Sequence, residues 1–227
     1  MTIDFLWNGR ARPTRGPKPT LSLERIADAG IAIADAEGLD AVAMQRVAAD
    51  LGFTKMALYR YVAGKAELVA LMVERAIGEP SATDTTDWRT ALKEWAHQLL
   101  AAHLRHTWTL EATLGPRPIG PNELGWMEHA LSILPTTGLT GSERLDTIAV
   151  LAGQVRAIAQ QAMVSRHPEG DITAKISDQL RRHSDRFPAL VATMAAAATD
   201  GEHDQAFEFG LDRILDGLDT LITQRGS

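Results

Sequence analysis

The chain has 227 residues, a formal net charge of −6 and no cysteine. The lack of cysteine excludes disulfides, thiolate metal ligands and a cysteine nucleophile. No apolar run reaches the roughly 18 residues of a membrane span, and the N-terminus lacks the pattern of a signal peptide. We therefore expect a cytoplasmic protein without a membrane partner.

Charge is distributed unevenly along the sequence. Residues 1–78 hold ten Lys/Arg and nine Asp/Glu, a net +1, whereas residues 79–227 hold thirteen and twenty, a net −7. Four of the cations fall within residues 8–19, which contain no acid. A local basic surface attracts nucleic acid, and an acidic remainder discourages binding elsewhere. The alternative is two ordinary solvated surfaces.

Residues 1–20 combine three prolines with two glycines and the four cations. This composition predicts an arm that is disordered in the free protein. Arg12 and Arg15 are its candidate DNA contacts, because a flexible basic arm beside a DNA-reading helix reaches phosphates or the minor groove. The alternative is a solvated tail.

Four helices are predicted in residues 21–78, at about 22–37, 43–51, 54–62 and 65–77. Ser22 has a hydroxyl suited to capping the first helix, and Thr54 has one suited to the third. Between the second and third helices, Gly52 can adopt the left-handed conformation of a sharp turn. Ala48 is small enough to let the two helices cross closely.

The third helix has an outward face with Lys55, Met56, Tyr59 and Arg60. Its other side, with that of the second helix, carries apolar residues: Val47, Leu51, Phe53, Leu58 and Tyr61. A short helix that projects cations and an aromatic ring from a turn-linked pair is typical of DNA reading. The alternative is an ordinary helical hairpin.

Residues 79–87 mark a break in composition, which predicts a domain boundary. Beyond it we expect helices at about 88–106, near Leu110, and at about 122–134, 142–166, 172–183, 187–198 and 203–224. Thr140 and Glu143 have the spacing of a capping box. No alternating strand pattern occurs, so the predicted fold is all-α, with an arm (1–20), a helix-turn-helix domain (21–78) and a second helical domain (79–227).

The second domain offers candidate ligand-binding residues, of which His103 is the most distinctive because it interrupts an apolar stripe. Trp108 and Trp126 would supply apolar walls, and the loop 115–121 an entrance. Gln154 and Arg156 would add polar contacts, the alternative being an ordinary helix surface. His103 is equally consistent with a core histidine. Two weaker alternatives are a metal held with His106 and an enzyme in which His103 is the base.

The helices at about 142–166 and 203–224 carry small and apolar residues that fit an internal core. A twofold dimer would let two short reading helices address two half-sites.

The first 78 residues resemble the DNA-binding domain of TetR-family transcriptional regulators. The resemblance lies in Ile33-Ala34, Gly38-Leu39, Val47 through Phe53, Leu58 through Val62, Gly64-Lys65 and Glu67-Leu68. The arm, the Leu58–Val62 motif and a tryptophan-bearing fifth helix are most similar to the tetracycline-repressor-type branch.

The resemblance implies a homodimeric repressor, without cofactor, that leaves a palindromic DNA operator when a small-molecule effector binds. It implies that the helices at about 142–166 and 203–224 pair across the twofold axis of this dimer. It also implies DNA contacts for a set of positions on the second, third and fourth helices: Gln45, Thr54, Lys55, Met56, Ala57, Tyr59, Arg60, Tyr61 and Lys65. Tyr59 and Lys65 match phosphate-contacting positions. Ala43 and Ala57 stand where the family often has threonine, which removes a helix cap and a hydroxyl contact and opens a thymine-methyl contact at Ala57.

Overall fold

A computed structural model describes residues 6–7, 21–165, 176, 179–180, 182–200 and 205–226. All regular structure within these residues is helical, which confirms the predicted all-α class. None of the described helices is long and apolar enough to cross a membrane.

Four helices form the N-terminal part: α1 (Leu23–Glu37), α2 (Met44–Asp50), α3 (Lys55–Tyr59) and α4 (Lys65–Ile77). Ser22 caps α1 as predicted, since its hydroxyl accepts from the Arg25 amide at 3.3 Å. Ala43 precedes α2 without a side-chain cap, again as predicted.

Helix α3 is shorter than predicted and ends at Tyr59, not near Val62. The reason is a tightening of the backbone: the Tyr61 amide donates to the Leu58 carbonyl, three residues back, at 2.8 Å. Such bonds end a helix in a narrower turn. The chain then enters α4 through Gly64, and the Glu67 carboxylate accepts from the Ala63 amide at 2.7 Å.

The remaining helices are α5 (Trp88–Arg105), α6 (Trp108–Ala112), α7 (Pro121–Ser132), α8 (Gly141–Ser165), α9 (Pro188–Asp200) and α10 (Ala206–Gly226). They agree with the predicted helices to within two or three residues at each end. The Thr140–Glu143 capping box is formed, with Glu143 accepting from the Thr140 amide at 2.8 Å. The helix predicted at 172–183 falls largely outside the described residues.

Helix α4 is the centre of the molecule. Consecutive residues from Leu68 to Glu74 are buried, so no side of this stretch faces solvent. A helix that is apolar all round is enclosed by neighbours, and α4 packs on α1 on one side and on α5, α6 and α7 on the other. Gly30 of α1 permits the close approach, because a Cβ there would touch the Met72 sulfur. Helix α4 therefore joins the two parts of the chain in one continuous core.

Candidate nucleic-acid interface and interior polar cluster

The turn between α2 and α3 has the predicted geometry. Gly52 has φ of 73°, a conformation that costs little without a Cβ. The Phe53 amide donates to the Ala48 carbonyl at 2.8 Å, which closes the turn. Leu58 is fully buried, so one side of α3 is fixed against the core and the opposite side is presented to solvent.

The outward face of α3 carries side chains with few internal partners. Met56 is 72% exposed and Tyr59 39%, and Lys55 lies over the Tyr59 ring with its Nζ 5.5 Å from the centroid. The hydroxyl of Thr54 accepts from the Ala57 amide at 3.3 Å, so this residue caps the helix as predicted. An exposed short helix of this kind matches the size of a DNA groove.

Cations at the two ends of this surface are exposed. Arg60 follows α3, Lys65 begins α4, and within the described part of the chain neither they nor Lys55 form an ion pair. Arg46 on α2 differs, because its guanidinium bonds Glu37 at 2.7 Å, a contact that raises the Arg46 pKa. Gln45 is also exposed. The positive charge available to phosphates is thus concentrated at α3 and the start of α4.

Tyr61 does not lie on the outward face that the resemblance implied. It is half-buried, and its hydroxyl donates to the Leu21 carbonyl at 3.0 Å. The apolar periodicity predicted this packing, and the bond to Leu21 occupies the hydroxyl group. Ala57 is half-buried as well, so its methyl group is only partly available.

The predicted arm falls almost wholly outside the described residues, including Arg12 and Arg15. Leu6 is an exception: it is 9% exposed and belongs to the buried cluster. This residue of the predicted arm therefore packs with the core, although Trp7 beside it is half exposed.

His103 is buried in the second domain in one defined tautomer. Its Nδ1 lies 2.9 Å from the Thr109 hydroxyl, which itself donates to the His106 carbonyl at 2.7 Å. Because that hydroxyl proton is already used, Nδ1 must be the donor and Nε2 carries the lone pair. Burial, reinforced by the positive charge of Arg156, lowers the pKa of His103 to about 4. The imidazole is therefore neutral at pH 7, with Nε2 as an acceptor.

Trp108 and Trp126 are buried with their indole N–H groups engaged. Trp108 donates to the Asp35 carboxylate of α1 at 2.8 Å, and His106 lies 2.9 Å from the same carboxylate. Trp126 donates to the Gly78 carbonyl at 3.0 Å and packs edge-on against Trp95. Each tryptophan thus offers only its ring to a ligand, and Trp108 ties α6 to the N-terminal part.

Gln154 is turned away from His103. Its amide donates to the Ala206 carbonyl at the start of α10. Arg156, two residues on and so roughly 200° around the helix, instead donates to the Thr113 hydroxyl at 2.9 Å and lies near His103. The structure therefore groups His103 with Arg156, and Gln154 is not part of that cluster.

The two histidines considered for a metal do not converge, because His103 bonds Thr109 and His106 bonds Asp35. In the described ranges no group of three or more His, Asp or Glu side chains is placed to hold a metal ion.

Two acidic residues were missed by the sequence analysis. Asp35 receives the Trp108 and His106 contacts, and Glu74 of α4 accepts from the Asn122 and Glu123 amides of α7. A signal existed for Glu74, since it is a lone acid at the end of a long apolar run. None existed for Asp35, whose partners are more than 70 residues away.

An apolar groove runs along the outside of α8 and α10. It is lined by Thr147, Val150, Ile214, Gly217, Leu218 and Leu221, with Glu143 and Asp146 at one end. Val150 is 54% exposed, whereas Leu218 is only 8% exposed and belongs mainly to the protomer's own core.

Family models match both parts of the chain. Residues 26–72 match the bacterial regulatory proteins of the tetR family, and residues 79–222 match the tetracyclin repressor-like C-terminal domain.

Individual relatives agree with these matches. The HTH-type transcriptional repressor DrrR1 of Streptomyces coeruleorubidus is 38% identical over 99% of this chain and 87% of its own length. The class C tetracycline repressor of Escherichia coli is 26% identical over 88% of this chain and 92% of its own. Apo ActR of Streptomyces coelicolor superimposes with a TM-score of 0.74 at 28% identity, covering 92% of this chain and 99% of ActR, and a second ActR structure holds actinorhodin.

Proposed function

The chain belongs to the TetR family of bacterial DNA-binding transcriptional repressors, and on that premise we propose that it is a homodimer whose α3 helices read two half-sites of a palindromic operator. A small-molecule effector, bound in the second domain, releases it. In this proposal the protein acts by binding and linkage, not by catalysis.

The observation that carries the DNA-binding role is the outward face of α3. Lys55, Tyr59 and Arg60 are exposed there beside Lys65, while Leu58 anchors the helix from behind. Arg60 has the length and fork geometry for guanine or phosphate. Phosphate neutralisation by these cations makes binding salt-dependent.

Exposed apolar surface supports the dimer. Val150, Gly153 and the adjacent groove lie on α8 and α10, and a Cβ added at Gly153 or Gly217 would meet no atom within 4 Å. Helix α9 is apolar yet almost entirely exposed, with Leu190 at 47%. Surfaces of this kind are stable in water when a second subunit covers them.

The effector site in this proposal centres on His103 and Arg156, with Trp108 as an apolar wall. The neutral His103 offers an acceptor at Nε2, and the half-buried Arg156 offers guanidinium donors beyond the one that bonds Thr113. A ligand with both a hydroxyl and an anionic or carbonyl oxygen would satisfy both groups. Because α6 contacts Asp35 of α1, ligand-induced movement of α6 would reach the DNA-binding part.

The DNA role is tested with a duplex selected by the protein from a random library. Arg60→Ala should weaken binding of that duplex by at least about fivefold, since a good base contact contributes about 1–3 kcal/mol. Arg105→Ala, which removes the same charge from an exposed position on α5, should leave affinity within about twofold. Equal affinities of the two variants would contradict the role of α3.

The effector site is tested with actinorhodin, the ligand of the ActR structure, and with smaller hydroxyaryl acids. A compound that binds should raise the melting temperature and weaken the DNA complex reciprocally. Arg156→Gln should reduce both effects and leave DNA affinity unchanged. If Arg156→Gln responds like wild type, the effector binds elsewhere.

A further inference from the structure

Glu74 is a carboxylate in an unusual place. It lies on α4 after six consecutive buried apolar residues and is itself only 8% exposed. Burial raises its pKa, although its hydrogen bonds and Arg117 act in the opposite direction. A buried carboxylate is costly unless polar partners replace its water, so its partners show what it does.

Those partners belong to another helix of the second domain. The Asn122 and Glu123 amides, in the first turn of α7, donate to the two Glu74 carboxylate oxygens, the second at 3.3 Å. In return, the Asn122 side-chain amide donates to the Glu74 main-chain carbonyl at 3.0 Å. Helix α7 has no side-chain cap of its own, because Gly120 precedes it. Glu74 therefore caps α7 from 48 residues away.

Gly120, the residue before α7, leaves space for the Glu74 carboxylate. A Cβ on Gly120 would overlap the Glu74 carboxylate. Gly120 has an extended backbone, with φ of −99°, which any residue adopts, so the need for glycine here is steric and not conformational. The sequence around α7 is thus fitted to receive an acid from α4.

Resting on the regulator function proposed above, we propose that Glu74 is the positioning residue that makes α4 follow the start of α7. If α7 shifts when an effector binds, either the carboxylate moves with it or a buried charge is deprived of two donors. The second outcome is strongly unfavourable, so the displacement passes into α4 and to the DNA-reading helices. The reverse also holds: DNA binding that fixes α4 must restrain the first turn of α7.

A cap without this role would only stabilise the fold, and hydrogen exchange separates the two possibilities. The experiment compares exchange of the backbone amides of residues 122–126 in the full-length protein, free and bound to its selected duplex. In wild type, DNA should slow this exchange about threefold or more, although α7 lies outside the DNA surface.

Glu74→Gln keeps the side-chain shape but removes the charge and one acceptor. It should speed exchange of these amides in the free protein. The logarithm of the ratio of exchange rates, free over DNA-bound, should fall to less than about half its wild-type value. Gly120→Ala tests the same contact from the other side and should behave alike. Asp87→Ala is the matched control, because the Asp87 carboxylate caps α5 by accepting from the Thr90 amide and hydroxyl, at 2.9 and 2.6 Å. It should retain the full DNA-induced slowing at 122–126.

Three results would overturn the assignment or its premise. If wild type binds DNA and α7 exchange does not change, α4 and α7 are not coupled through this contact. If Glu74→Gln keeps the wild-type difference, the cap is structural only. If wild type binds no duplex from the library, the regulator function fails before Glu74 is in question.

Discussion

The outward face of α3 and the His103 cluster are opposite kinds of binding surface. Met56 and Tyr59 on α3, and Arg60 immediately after it, project into solvent. Around His103, several polar groups already bond one another: His103 Nδ1 to Thr109, one Arg156 N–H to Thr113, and Trp108 to Asp35. The α3 surface is free to contact a large partner, whereas a ligand at the His103 cluster would add to or replace internal hydrogen bonds.

This difference has a physical consequence for regulation. Charges on an exposed helix cost little in the free protein, so the DNA surface can be optimised for affinity alone. Interior polar groups must be satisfied in every state, so their rearrangement is all-or-none. The comparison predicts that substitutions on α3 change affinity without changing folding, and that substitutions in the cluster change folding and response together.

The largest expected effect comes from disrupting the proposed dimer, because in that proposal two copies of α3 read one operator. Val150→Glu places a charge on the exposed apolar face of α8. A charge buried between subunits without a partner disfavours association. We expect wild type to be a dimer, and Val150→Glu a folded monomer, at about 10 μM by size exclusion with light scattering. Duplex affinity should fall by about two orders of magnitude or more.

Met56→Glu is the matched control for that experiment. It also replaces an exposed apolar side chain by a carboxylate, but on α3. It should remain a dimer while binding the duplex more weakly, because the new carboxylate is repelled by phosphates. A wild-type monomer, or a dimeric Val150→Glu protein, would contradict the proposed interface. Leu218 is unsuitable for this test because it is mostly buried within the protomer.

The next effect is smaller and concerns the interior. The pKa of His103 is lowered to about 4 in the folded protein, from about 6.5 in the unfolded chain. Between these values the unfolded state binds the proton more readily, so stability falls as pH is lowered from about 6.5 towards 4. His103 should account for about 2 kcal/mol of this loss at pH 5.

His103→Gln isolates that contribution, because its side-chain amide can still donate to the Thr109 hydroxyl and does not titrate. Chemical denaturation of both proteins at pH 7 and pH 5 measures how much the free energy of unfolding of each changes with pH. Between pH 7 and pH 5, the free energy of unfolding of the variant should fall by about 2 kcal/mol less than that of wild type. Parallel losses would mean that His103 is not buried as a neutral base.

The sequence predicted those parts of the molecule that depend on nearby residues. The turn at Gly52, the cap at Thr54 and the Thr140–Glu143 box are determined by residues within three positions of one another. The outward face of α3 follows from the same periodicity. These features were correctly predicted because local hydrogen bonding and helical geometry decide them.

The interior cluster depends on distant pairings, which periodicity cannot supply. The apolar pattern predicted that Tyr61 packs inward, whereas the family resemblance predicted that it contacts DNA. The hydrogen bond to the Leu21 carbonyl, 40 residues away, holds it inward. Gln154 and Arg156 were both plausible polar contacts, and only the packing of α8 against α10 shows which one faces His103. Glu74 was visible as a lone acid, but its α7 partner was not.

The smallest expected effect concerns the arm, and it tests whether the DNA-binding surface extends from α3 to Arg12 and Arg15. Truncation would also remove Leu6, which is buried, so charge substitution is the cleaner change. Arg12→Gln with Arg15→Gln should reduce the slope of log affinity against log salt by about 0.9 for each phosphate that is no longer neutralised. Affinity at physiological salt should fall by only a few-fold. Stability should stay within about 0.5 kcal/mol of wild type, because substitutions of charged side chains away from the core usually change stability by no more than that. Arg105→Gln with Arg186→Gln removes the same charge from exposed positions of the second domain and should leave the slope unchanged. An unchanged slope in the arm variant would confine the DNA surface to α3 and the start of α4, whereas a large loss of stability would show that Arg12 or Arg15 packs with Leu6.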